Sequence, residues 1–189
     1  MSKLLYLDGC SYTFGLGLDA SDTLEHLFIA AGYNVVNKSR PGKSNMAICL
    51  DTYNYADVAD VLVLGFTYSS RYYLNFDKRN IDLLVNRYNL DTDENAALED
   101  EYINLHRSFY TLFDQNHWGN VSDMIIDNTI DSLLLKNKKL FAFTWESRLT
   151  KQKLFHPIMG SNQKLPDGHL NAVGTKNLFN TIQNKLGDA

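Results

Sequence analysis

Cysteine is scarce in this chain. Cys10 and Cys49 are the only two in 189 residues, so at most one internal disulfide can form. Nothing else points to an oxidising compartment, and both read as reduced thiols. An excess of positive charge is also missing: 18 Lys and Arg against 22 Asp and Glu leave a net charge of −4. Such a surface has no general means of neutralising a phosphate backbone, which argues against nucleic acid as a partner. No uncharged apolar run reaches the roughly 18 residues that a membrane span requires. The opening stretch Lys3-Leu4-Leu5-Tyr6-Leu7-Asp8 meets a charge too early for a signal peptide. These absences speak against a membrane partner and give the cytoplasm as the expected location. His26, His106, His117 and His156 stand at no metal-ligand spacing, so no metal is expected. Gly15-Leu16-Gly17-Leu18 lacks the third glycine of a dinucleotide fingerprint, so no cofactor is expected either. Repeats and low-complexity tracts are absent. With 44% hydrophobic residues, residues 1–189 read as a single domain.

What is present is an alternation. Lys3 to Asp8 is a short apolar run of β-forming residues stopped by Gly9, as a buried strand would be. Asp22 to Ala31 places Leu24, Leu27, Phe28 and Ala31 at helical spacing before Gly32, which provides a stop. Tyr33 to Asn37 is a second strand, and Ser44 an N-cap for a helix carrying Met46, Ile48, Cys49 and Leu50. Val58 to Phe66 holds the most continuous apolar run. Three strands alternating with two helices indicate an α/β domain with a parallel sheet. Thr67 to Gly119 departs in composition, being rich in Tyr, Asn and Asp. It reads as an insertion or lid, with a helical stretch near Ala96 to Phe113 and an acidic, solvated helix start at Asp91 to Glu101. Alternation then resumes with a helix near Val121 to Leu135 that turns Ile125, Ile130, Leu133 and Leu134 inward. A strand from Lys139 to Trp145 and a possible fifth strand from Leu154 to Met159 follow. The last helix carries Val173, Leu178, Ile182 and Leu186 at core spacing.

In a parallel sheet flanked by helices, ligands gather beyond the carboxyl ends of the strands. Strand one runs into Gly9-Cys10-Ser11-Tyr12-Thr13-Phe14-Gly15, a turn that lifts a hydroxyl out of the sheet beside free backbone N–H groups. Strand two runs into Asn37 to Asn45, where Gly42 permits close approach of the backbone, and strand three into Gly65-Phe66-Thr67. Ahead of the last helix comes Asp167-Gly168-His169. If that loop is extended, residues two apart project to one side and the carboxylate orients the imidazole. Ser11, His169 and Asp167 are the parts of an acyl-transfer site: hydroxyl nucleophile, base and supporting acid. Arg71, with Tyr68, Tyr72, Tyr73 and Trp118, suits a wall for a sugar or an anionic group, or plain packing of the insertion.

These four blocks, in this order, resemble the SGNH hydrolases, the GDSL-type esterases and lipases. The resemblance rests on Gly9-Cys10-Ser11, on Gly42 within Asn37 to Asn45, on Gly65-Phe66-Thr67, and on Asp167 to Gly174 with its His-Leu-Asn-x-x-Gly pattern. It implies a three-layer α/β/α sandwich with a mostly parallel sheet of about five strands. It further implies hydrolysis of a small-molecule or glycan ester, such as an O-acetyl group, with Ser11 as nucleophile, His169 as base and Asp167 as acid. The Ser11 and Gly42 amides would then be the oxyanion donors. This chain departs from the family pattern at three places: Cys10 replaces an Asp, the acid lies two residues before His169 instead of three, and Thr67 replaces an oxyanion-donating Asn. Asn45 is the expected substitute donor. Acyl transfer to a sugar hydroxyl and a non-catalytic binding protein of the same fold are the rival readings.

Overall fold

The computed structural model describes residues 2–69, 71–76, 79–83, 115–136, 138–146, 154–157 and 159–187. Its elements are β1 (Leu4–Gly9), α1 (Ser11–Phe14), α2 (Leu24–Ala30), β2 (Asn34–Asn37), α3 (Asn45–Tyr55), β3 (Val61–Phe66), β4 (Tyr72–Phe76), β5 (Arg79–Leu83), α4 (Gln115–Leu135), β6 (Lys139–Thr144) and α5 (Ala172–Gly187). Four strands form a parallel sheet in the order β2-β1-β3-β6. β4 and β5 pair with each other as an antiparallel hairpin at the start of the 67–119 segment. The helix expected near Ala96 to Phe113 and the acidic run from Asp91 lie outside the described residues.

Side chains alternate across a strand, and here that alternation divides the core in two. Leu5, Leu7, Val61, Val63, Phe141 and Phe143 pack with Leu24 and Phe28 of α2 and with Leu178, Ile182 and Leu186 of α5. Tyr6, Leu62, Leu64, Phe66 and Ala142 face the other way, onto Ile48 and Cys49 of α3 and Ile126, Ile130 and Leu133 of α4. The result is the three-layer α/β/α sandwich with a mostly parallel sheet. Local chemistry sets the helix starts: the Ser44 hydroxyl accepts from the Ala47 N–H and the Thr23 hydroxyl from the His26 N–H. Cys10 and Cys49 are buried free thiols, and burial pushes the Cys49 thiol up to about 12. Among the described residues no helix is long and apolar enough to cross a membrane.

Some expectations need correction. The fifth strand is reduced to one parallel bridge between Phe143 and Phe155. The Phe155 N–H donates to the Ala142 carbonyl and the Phe155 carbonyl accepts from Thr144, but Pro157 brings no N–H to continue the ladder. Leu134 and Val173 are 48% and 55% exposed. The inward stripe of α4 runs through Ile126, Ile130 and Leu133, at spacings of four and three, which leaves Leu134 a further 100° or so round the helix.

One close contact fixes where β1 ends relative to β3. Gly9 and Gly65 are register partners, and the Thr13 side chain sits over both. A Cβ on Gly65 would run into Thr13 Oγ1 and come within 2.7 Å of the Phe143 ring. Gly65→Ala is therefore expected to cost about 1–3 kcal/mol by overpacking, read as a lowered urea midpoint. An unchanged midpoint would show that this contact is soft.

Candidate active site

β1 stops at Gly9 and the chain turns at once into α1. The Cys10 carbonyl accepts from the N–H groups of Thr13 and Phe14, at 3.0 and 2.9 Å, while the Cys10 side chain is fully buried. Ser11 is therefore the first helical residue, where an N–H has no acceptor within the helix. Its hydroxyl oxygen lies 2.9 Å from Nε2 of His169.

His169 arrives from the other end of the chain on a tight turn, not on an extended loop. The Gly168 N–H donates to the Leu165 carbonyl at 2.9 Å and the Leu165 N–H to the His169 carbonyl at 2.7 Å. Gly168 adopts φ 90°, the left-handed conformation that glycine enters without a Cβ clash. This turn, and not strand alternation, brings the two side chains together. Asp167 Oδ1 accepts the His169 N–H at 3.0 Å, and Oδ2 lies 3.0 Å from Nδ1 of the imidazole. That pair is within ion-pair reach but off the line of an aligned hydrogen bond. The backbone N–H of His169, and then its ring, hold the Asp167 carboxyl below the usual carboxylate range. A neutral imidazole that keeps its proton on Nδ1, beside the carboxylate, leaves Nε2 to accept from Ser11.

The Tyr12 ring is sandwiched between Trp145 and His169, with centroids 4.7 and 4.6 Å away. Burial, and then hydrogen bonding with Tyr68, push the Tyr12 hydroxyl up. Beside this stack is a cleft of about 120 Å³ lined by Tyr12, Tyr68, Trp145, His156, Lys164 and Leu170, among others. His156 places Nδ1 3.0 Å from the Thr144 carbonyl. Tyr12, Trp145, His156 and Lys164 escaped the sequence reading. The available signal was position, since Trp145 directly follows β6 and so lies at the same carboxyl edge of the sheet as Ser11.

Gly42 adopts φ 78° in a loop held against β1: Lys38 N–H donates to the Leu7 carbonyl at 2.8 Å and Arg40 N–H to the Gly9 carbonyl at 3.2 Å. Asn45 is fully engaged. Its Oδ1 accepts the Thr67 N–H at 2.7 Å, and its Nδ2 donates to the Thr67 carbonyl and the Ser122 hydroxyl at 3.0 and 3.1 Å. Both Nδ2 protons thus have protein acceptors, so Asn45 braces the end of β3. The Thr67 hydroxyl is enclosed and has no hydrogen-bond partner among the described residues. Arg71 donates to the Lys43 carbonyl at 3.4 Å and lies over the Tyr68 ring, and it is not among the residues that line the cleft. Trp118 belongs to α4 and is not among the residues that line the cleft.

No family model matches the chain, and no curated protein matches it. Solved structures do. The crystal structure of TesA superposes with a TM-score of 0.54 at 13% identity, covering 97% of this chain and 98% of that one. The fold is that of TesA, an α/β/α sandwich on a mostly parallel sheet. Two further matches are a lipase/acylhydrolase from Enterococcus faecalis (16% identity, 100% and 97% coverage, TM-score 0.43) and a catalytic mutant of an acetylxylan esterase from Geobacillus stearothermophilus (12%, 98% and 94%, 0.41).

Within this fold the Asp167–His169 geometry hangs on Gly168. A Cβ there meets no atom within 4 Å, so only backbone strain opposes substitution. Gly168→Ala is expected to lose about 1–2 kcal/mol and Gly168→Asn less, since Asn tolerates the left-handed region. Urea denaturation measures both, and Ala at least as stable as Asn would contradict the turn as described.

Proposed function

We propose that the protein is a serine ester hydrolase that forms an acyl-enzyme on Ser11. The observation that carries this reading is the 2.9 Å approach of Ser11 Oγ to His169 Nε2, with the Asp167 carboxylate against the far side of the same ring. The base is in reach of the proton it must take.

In the first half-reaction Ser11 Oγ attacks the ester carbonyl carbon as its proton passes to His169 Nε2. The developing imidazolium is stabilised by Asp167, which remains ionised. The oxyanion is received by the N–H groups of Ser11 and Gly42, while the Thr67 hydroxyl, expected as a donor, is enclosed. Collapse of the tetrahedral adduct breaks the bond to the alcohol oxygen, and His169 returns the proton to that oxygen. Water, deprotonated by His169, then attacks the acyl-enzyme, releases the carboxylic acid and restores the Ser11 hydroxyl.

The proton path also assigns the two ends of the substrate. The leaving alcohol must lie on the His169 side, and Tyr12, whose ring packs against His169, is also a wall of the cleft with Tyr68 and Trp145. Aromatic walls with Lys164 and His156 between them suit a ring that offers an apolar face and polar edges. An O-acetyl ester on a glycan is the substrate class we propose. The 67–119 segment supplies the Tyr68 wall, as an insertion within one domain that shapes specificity and leaves the chemistry to the sheet edge.

Hydrolysis of p-nitrophenyl acetate tests the chemistry. Ser11→Ala should lower kcat by about 1,000-fold or more, and a Ser11→Ala protein with the wild-type rate would overturn the reading. Acetate release from an O-acetylated glycan tests the substrate class. Tyr68→Ala should raise KM for the glycan ester by about tenfold, the effect of roughly 1.4 kcal/mol of lost stacking, and for p-nitrophenyl acetate by less. Equal effects on the two esters would remove the cleft from substrate recognition.

A further inference from the structure

Among the described residues, one buried lysine stands apart from the candidate site's own side chains. Lys43 is fully buried, a placement lysine almost never takes unless it is paired. Its ammonium meets Asp8 Oδ1 and Oδ2 at 2.7 and 2.8 Å, Asp51 Oδ2 at 2.6 Å and the Lys38 carbonyl at 3.0 Å. Three N–H donors thus serve three acceptor groups. Asp8 is also fully buried and accepts from the Tyr6 hydroxyl and the Gly9 N–H, both at 2.7 Å. Burial pushes the Asp8 carboxyl up, while Lys43, the Tyr6 hydroxyl and the Gly9 amide oppose that shift.

Each partner of Lys43 sits at a position that matters. Asp8 and Gly9 are the last residues of β1, directly before the turn that presents Ser11. Lys38 follows β2, Asp51 belongs to α3, and Lys43 itself adjoins Gly42. The ammonium therefore fastens the loop carrying the Gly42 amide to the strand carrying Ser11. Packing alone does not explain the choice, because a buried ion pair is often no more stabilising than apolar residues of similar volume. A charge-assisted bond gives direction and distance, which apolar contact does not.

We infer that Lys43 is a positioning residue, which through its buried bonds to Asp8 and the Lys38 carbonyl sets the Gly42 amide at the distance from Ser11 that the oxyanion requires. This rests on the esterase reading above. Lys43 touches no substrate. Its loss changes how well the amide meets the transition state and leaves the aromatic cleft unaltered.

Lys43→Met alone strands a buried carboxylate, so the test is the double variant Asp8→Leu/Lys43→Met, which replaces the pair by apolar side chains of similar length. Expected is a folded protein with kcat on p-nitrophenyl acetate lowered about 100-fold, the order of one mispositioned oxyanion donor, and KM within twofold of wild type. Amide hydrogen exchange across 38–43 should quicken in the same protein. A folded double variant with wild-type kcat overturns the inference. So does a loss that falls equally on kcat and KM. If the double variant does not fold, Asp8→Asn keeps the shape and removes the anion, and kcat should still fall at constant KM; wild-type kcat there overturns the inference as well. If the wild type itself hydrolyses no ester, the esterase reading falls, and unchanged exchange across 38–43 in the double variant would separately show that Lys43 does not hold the loop.

Discussion

The hydrogen bond between Ser11 and His169 joins side chains 158 residues apart, and the whole fold is arranged so that it can form. Ser11 leaves the carboxyl end of β1, a central strand of the sheet. His169 is delivered by the turn that leads into α5, and α5 packs with α2 on the same face of that sheet. Leu170, next to His169, is buried in this layer, so the core beneath the turn decides where the imidazole stands. Thr13 over Gly9 and Gly65 does the same for the hydroxyl. Apolar packing thus brings the two reactive groups into range, and local turns give them direction.

The opposite face of the sheet does different work. Period-two alternation sends Tyr6 and Asp8 to the α3 side, and there the apolar layer gives way to a buried polar cluster of Asp8, Lys43 and the Tyr6 hydroxyl. A little further along the edge, Asn45 closes both backbone groups of Thr67. Buried polar groups that are fully partnered are rigid, and both clusters adjoin loops that reach the candidate site. The carboxyl edge of the sheet is thereby set by hydrogen bonds on one side and by hydrocarbon on the other.

Much of this was legible in the sequence, for reasons that are local. β1 shows as an apolar run ended by Gly9, the α3 start as a serine cap, and the site as polar residues at strand ends. What escaped depends on partners far along the chain. Asn45 is expected to face a substrate from its place in the glycine block, yet Ser122, 77 residues on, takes one of its protons. Nothing adjacent to Lys43 in the sequence announces Asp8, 35 residues away. Tyr12 and Trp145 carry no local mark of the cleft they line, and Trp145 also packs edge-on against Phe143. The two-residue spacing of Asp167 and His169 suits an extended loop as well as a turn, and only the left-handed Gly168 distinguishes them.

The central claim is that Ser11, and not its neighbour Cys10, is the nucleophile. Incubation with a small fluorophosphonate, followed by peptide mapping with tandem mass spectrometry, addresses it without any knowledge of the natural substrate. The account predicts a single adduct on Ser11 in the wild type, none in Ser11→Ala, and a retained adduct in Cys10→Ala, because the Cys10 side chain is buried while Ser11 meets His169. An adduct on any other residue, or undiminished labelling of Ser11→Ala, would contradict it.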